Sequence, residues 1–291
     1  MAIWSEWEDL SSQFNFGDIF YQKKYRREGG GVARLLVNRP KSMNAFTTKT
    51  MREITRATHE ATFDPYVGVI VVSGVGQHFG TGGDVTWEAE GGLDPDSDVW
   101  GGGGWDALTW SSKPTIAMVK GYCIGGSHHL AYHCDLTIAA DTAILGQNGP
   151  RVGSTPAGRP VGQLAHIVGI KRAKEIWMLC RQYTAQEALA FGLVNAVVPL
   201  ERLEEEVDQW CDELLNLCPT PLAMVKFSLE AVGGYLAQES GRIPAMINPQ
   251  FDRSEEAARA RKAFFERTIA RHWPLKEDAK WPAEVLGQGT Q

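Results

Sequence analysis

Gly121-Tyr-Cys-Ile-Gly-Gly-Ser-His-His129 is the stretch on which the fold turns, read together with Gly82-Gly-Asp84 about forty residues earlier. In each, glycine stands where an extended segment ends and a helical pattern begins. Such a corner leaves backbone N–H groups without partners, because the first donors of a helix have no intrahelical acceptor. Two corners in one cleft can direct two N–H groups at one oxygen, with Gly83 and Gly126 supplying the donors. That is the arrangement that stabilises a developing oxyanion, usually a large factor in acyl and enolate chemistry.

The flanking sequence predicts an α/β architecture. Val32–Val37 and Val67–Ser73 are β-branched runs closed by Asn-Arg-Pro and Gly-Val-Gly, so they read as buried strands. Thr47–Thr62 between them reads as a helix. Thr115–Val119 and Leu136–Ala139 are further strands, with a helix beginning near His128. Strand and helix alternate to about residue 198, which argues for crossover connections. Leu203–Leu217 is an acidic amphipathic helix, Pro219-Thr-Pro221 interrupts it, and the rest carries only helical signals, with a start at Ser254-Glu-Glu. The expected division is an N-terminal arm over 1–16, loose in character, a core over 17–218 and a helical region over 219–291. Residues 88–104 are glycine-rich and acidic, with Trp87, Trp100 and Trp105 around them; they read as a surface loop or a substrate lid.

Composition narrows the function classes. A chain of 291 residues, 43% apolar and 22% charged, suffices for one sizeable globular domain. A net charge of −6 argues against general nucleic-acid affinity. No apolar run approaches the ~20 residues of a membrane span. The first ten residues carry three acidic side chains and no basic ones, unlike a signal peptide. The five cysteines are scattered and mostly in apolar patterns, as reduced core residues of a cytoplasmic protein would be. His128, His129 and His133 invite a metal reading, but no acidic or cysteine ligand accompanies them at metal-site spacing, so none is expected.

Several segments together resemble the crotonase superfamily, the enoyl-CoA hydratases and isomerases. They are Val37-Asn-Arg-Pro40 with Asn44-Ala-Phe46, Gly80-Thr-Gly-Gly-Asp84, Lys113–Gly121, Cys134–Asp141, Gly192–Pro199 and Ala263–Arg267. The resemblance runs from about residue 17 to 275. It implies a spiral of ββα units, C-terminal helices that pack on neighbouring subunits, and a homotrimer or hexamer. Gly146-Gln-Asn-Gly-Pro150, Val152-Gly-Ser154 and Lys174–Tyr183 are similar to one branch, the 1,4-dihydroxy-2-naphthoyl-CoA synthases, which close a ring, and the 2-ketocyclohexanecarboxyl-CoA hydrolases, which open one.

The resemblance also locates departures. Crotonase-type hydratases use two glutamates; at the matching positions this chain has His129 and Gly149. In some ring-closing relatives a Gln-Thr-Gly with a tryptophan holds bicarbonate as the base. The counterparts are Gln147, Asn148, Gly149 and Trp177, which implies a small-anion site there. Ser154 matches a branch serine, but Pro156 replaces the aspartate that follows it in the branch, and Asp252 falls where the branch has a tyrosine. A histidine suits water activation near neutral pH, and a helix N-terminus beside it would lower its pKa.

The resulting catalytic set is Gly83, Gly126, His129, Gly149, Ser154 and Asp252, with Trp87, Trp105, Gln147, Asn148 and Trp177 about the acyl group. Coenzyme A, brought as part of the substrate with no tightly bound cofactor, is expected at Lys41, Asn44, Ala45 and Phe46, with Lys262 or Arg267 reaching a neighbouring subunit's coenzyme. The expected activity is hydrolytic opening of a cyclic β-ketoacyl-CoA. Alternatives are the ring-closing synthase, a hydratase or lyase with unusual acid/base residues, and a non-catalytic acyl-CoA-binding homologue.

Overall fold

The computed structural model describes residues 4–92, 103–154, 159–240 and 254–268. Its framework is a seven-stranded sheet in the order β1-β2-β3-β4-β5-β7-β10. The strands are β1 (Glu8–Asp9), β2 (Ile19–Tyr25), β3 (Gly31–Val37), β4 (Val67–Gly74), β5 (Thr115–Val119), β7 (Leu136–Ala140) and β10 (Ala196–Val198). From β3 onward every pairing is parallel. Parallel strands are covered on both faces, which is why these runs are continuously apolar. Side chains alternate between the faces. Ile70 and Val72 enter one core cluster with Met51, Ile54 and Ala57 of α1 (Thr48–Phe63). Val69 and Val71 enter the other, beneath Leu203, Val207 and Cys211 of α9 (Leu203–Leu215).

A second, three-stranded sheet holds β6 (Tyr122–Ile124), β8 (Ile144–Gly146) and β9 (Gln182–Thr184). The expected ββα repeat is visible here. β5, β6 and α4 (Gly126–His133) form one turn of the spiral; β7, β8 and α5 (Gly149–Val152) form the next. In each, the first strand joins the large sheet and the second joins the small one, so both helix starts emerge at the same edge. The remaining helices are α2 (Val85–Trp87), continuing as a π-helical turn over Glu88–Gly92, α3 (Gly103–Thr109), α6 (Arg159–Val168), α7 (Ile170–Leu179), α8 (Ala185–Ala190), α10 (Pro219–Ser240) and α11 (Glu255–Phe265). None among the described residues is long and apolar enough to cross a membrane.

The N-terminal arm is not loose. Ser5 donates its N–H to the Tyr25 carbonyl, and β1 pairs antiparallel with β2. The reason lies in two tryptophans. Lys24 Nζ lies 4.7 Å from the Trp4 ring and 4.5 Å from Trp7, and the Arg34 guanidinium lies 3.9 Å from Trp7. These cation–π contacts strap the arm to the edge of the sheet. The helix near His128 begins earlier than expected, at Gly126. The expected lid falls largely outside the described residues, as do Trp100, Pro156 and Asp252.

Candidate active site

The two glycine corners meet. Gly82 has φ +92° and Gly125 φ +60°, conformations that glycine adopts without strain. A Cβ at Gly82 would stand 3.0 Å from the Gly126 nitrogen, so the backbones approach as closely as only glycine permits. The Phe46 N–H donates to the Gly82 carbonyl and the Asp84 N–H to the Phe46 carbonyl, bracketing Gly83. Ser127 Oγ accepts from the Gly82 N–H at 3.0 Å, tying the corners together. Asp84 accepts from the Trp87 N–H and is itself held by Arg39 at 2.8 Å. The N–H groups of Gly83 and Gly126 engage no acceptor among the described residues, and both glycines line a cavity of about 50 Å³. That volume holds a few waters at ~10–15 Å³ each.

His129 lies on the same cavity, in the first turns of α4. Its Nε2 is 3.2 Å from Gln147 Oε1, and Gln147 Nε2 is 3.0 Å from His128 Nδ1. With the amide so placed, His129 Nε2–H donates to Gln147, whose NH₂ donates to His128. The buried Gln147 side chain therefore fixes both tautomers. His129 Nδ1 is left as a lone pair with no partner among the described residues, on a side chain that lines the cavity. Around the ring stand Trp105 at 5.9 Å, Tyr132 at 5.6 Å and Trp177 at 5.5 Å between centroids. Burial in this cage pushes the His129 pKa down to about 4, with the Gln147 bond opposing the shift. Desolvation is the largest cause of its neutrality. Burial takes His128 to about 3 and His133 well below its usual value.

Residues 27–273 match the model of the family described as enoyl-CoA hydratase/isomerase. The chain belongs to that family. Among solved structures it resembles an enoyl-CoA hydratase/isomerase from Xanthobacter autotrophicus Py2, at 30% identity and TM-score 0.72 over 86% of this chain and 92% of that one. It also resembles an enoyl-CoA hydratase from Mycobacterium avium subsp. paratuberculosis K-10, at 25% identity and TM-score 0.75 over 84% and 95%. A third is methylmalonyl-CoA decarboxylase in complex with 2-nitronate-propionyl-CoA, at 26% identity and TM-score 0.72 over 82% and 94%. The crotonase fold is shared with these, and an acyl-CoA thioester is the family's substrate, with no tightly bound cofactor.

Set against a family of hydratases, the residues at 129 and 149 matter. Neither is a carboxylate. The cavity brings together Gly83, Gly126, His129, Gln147, Asn148, Gly149, Ser154, Trp105 and Trp177 from the sequence-derived set. Trp87 does not line it, and Asp252 lies outside the described residues. Glu88, Val85 and Val152 line it without having been singled out. Around the expected small-anion site, both ends of the Gln147 amide are engaged by histidines and Asn148 Oδ1 lies toward the Gly125 corner, while the buried Trp177 Nε1–H has no hydrogen-bond partner among the described residues.

The coenzyme candidates divide. Lys41 is exposed on a short 3₁₀ turn. The Asn44 side chain is buried, donating to the carbonyls of Val75 and His78 and accepting from the Arg39 N–H, and its own backbone N–H donates to the Arg39 carbonyl, so it pins a loop. Ala45 is buried with its carbonyl on Arg39, and the Phe46 ring packs on Trp105 and Gly126 as a cavity wall. Lys262 and the residue Arg267 just past α11 are exposed. In this chain α11 rests on its own α5: a Cβ at Gly153 would meet Ala257 and Ala260, and Arg261 donates to the Gly153 carbonyl at 3.3 Å.

Proposed function

We propose that this family member opens the ring of a cyclic β-ketoacyl-CoA by adding water and breaking a C–C bond. One observation carries the reading: a buried, neutral histidine, fixed by Gln147 with a lone pair left on Nδ1, takes the place of the hydratase carboxylate beside two unengaged glycine N–H groups. Hydration of an enoyl-CoA by paired carboxylates has no such pair at positions 129 and 149. A water accepted at His129 Nδ1 is aimed at a ring ketone by the aromatic walls of Trp105 and Trp177. Collapse of the adduct sends an electron pair into the thioester as an enolate, the charge that the Gly83 and Gly126 N–H groups are placed to hold. Ser154 stands ready to bond the ketone oxygen. C–C cleavage on an acyl-CoA is also what the name of the decarboxylase neighbour denotes.

The coenzyme runs past Lys41 in this account, and the protein assembles as a trimer or paired trimers. Exposed Met224, Val225 and Leu229 on α10 supply apolar surface for that assembly. The direct test is kinetic. Cyclic β-ketoacyl-CoA esters should be consumed with a kcat/KM at least ~10² above that for straight-chain enoyl-CoA hydration, the scale of one well-made transition-state contact. Faster hydration than ring opening would overturn the proposal.

A further inference from the structure

Glu88 is the titratable side chain, besides His129, that lines the cavity among the described residues. We propose that Glu88 carries the proton of this reaction from the attacking water to the α-carbon of the thioester. The inference rests on the ring-opening proposal for its full cycle, but its key step, proton transfer at the α-carbon, needs only an acyl-CoA in the site.

Placement is the first ground. Asp84 caps α2, and the Glu88 N–H donates to the Asp84 carbonyl one turn later. Helical side chains lean toward the helix N-terminus, so Glu88 reaches back over the corner it follows. Its carboxylate oxygen lies 2.2 Å from where a Cβ on Gly83 would stand, a closeness that the glycine permits. An enolate oxygen held by the Gly83 N–H would therefore have this carboxyl group beside it. The turn carrying Glu88 is π-helical, a local widening that often accompanies functional sites.

Charge is the second ground. A carboxylate and an enolate at this separation repel, so the enolate favours Glu88 in its protonated form. His129 does not supply that proton reservoir, since burial away from water disfavours an imidazolium there. Water oriented by His129 Nδ1 forms a C–O bond to the ring ketone and gives a proton to the Glu88 carboxylate, leaving a hydrated alkoxide. The alkoxide re-forms a carbonyl, the C–C bond breaks, and its electron pair becomes the thioester enolate. Protonated Glu88 then forms the new C–H bond at the α-carbon and is a carboxylate again. The products are a carboxylic acid and an acyl-CoA, one water heavier than the substrate, with no oxidant or reductant.

The test uses the full chain and cyclohexanecarboxyl-CoA, a saturated thioester with no ketone to open, in D₂O. The wild type should exchange its α-hydrogen for deuterium through the same enolate. Glu88→Gln should slow exchange by ~10²–10⁴, the usual contribution of a positioned acid or base, while thioester affinity changes little. Glu88→Ala should be equally slow and partly restored by added formate, which a purely structural loss would not be. Exchange by Glu88→Gln at the wild-type rate, or no exchange by the wild type, would overturn the inference. Glu88-dependent exchange with no opening of any cyclic β-ketoacyl-CoA would leave Glu88's role standing and remove the ring-opening reading instead.

Discussion

His129 Nε2 and Gln147 Oε1 stand 3.2 Å apart, and the same Gln147 amide reaches His128 Nδ1 at 3.0 Å. One side chain thus determines which nitrogen of His129 is left to act. His129→Ala should lower turnover by about 10²–10⁴ with little change in thioester affinity, as for a lost acid/base or orienting group. Gln147→Leu should keep the imidazole but release its tautomer, and fall between His129→Ala and wild type. Steady-state kinetics on folded variants checks this; a normal rate for His129→Ala would make the histidine structural.

The buried histidines should also make the protein acid-sensitive. Their folded pKa values, about 4 for His129 and about 3 for His128, lie below the ordinary 6.5. Between those limits the unfolded chain binds more protons than the folded one, so stability is whole above pH 6.5 and falls as pH drops toward 4. The two together steepen the decline by at most about 3 kcal/mol per pH unit. Urea unfolding across this range should show a shallower slope for His129→Gln. Parallel profiles for the two proteins would contradict it.

At the second corner, Gly126 can be tested by comparing two substitutions. Both Gly126→Ala and Gly126→Pro place a Cβ against the Phe46 ring. Only proline also deletes the N–H, and proline is tolerated in the first turn of a helix. Proline should therefore be slower than alanine by a further ~10²–10³, the scale of one oxyanion donor. Equal rates in the two folded variants would mean that the Gly126 N–H holds no charge.

The arm should matter to stability and not to chemistry. Trp7 stacks on both Lys24 and Arg34. Trp7→Ala should cost about 1–2 kcal/mol and lower Tm by several degrees with kcat unchanged. An unchanged Tm would show that the strap contributes nothing.

How much of this was legible in the chain depends on the length scale of each signal. Strands β3, β4, β5 and β7 follow from apolar runs, and with α1 they appear within a residue or two of expectation. The meeting of the two corners, at Gly82 and Gly126, was legible because glycine there has a specific steric reason. β6, β8 and β9 were not: three residues each are too short for any periodicity to show. β1 was missed because its pairing rests on tryptophan–cation contacts with partners about twenty residues away. Asn44 reads as a ligand in sequence but is a loop pin in space, since its three partners come from two separate segments. Glu88 was overlooked inside a glycine-rich acidic stretch. Its position one turn after the Asp84 cap was the available clue.

Mass spectrometry of the products from a panel of cyclic β-ketoacyl-CoA esters tests the central claim most directly. The account predicts a product heavier than its substrate by one water, carrying a new carboxylic acid and, in D₂O, one carbon-bound deuteron α to the thioester. Substrates recovered unchanged, or loss of water from an open-chain succinylbenzoyl-CoA in place of ring opening, would contradict it.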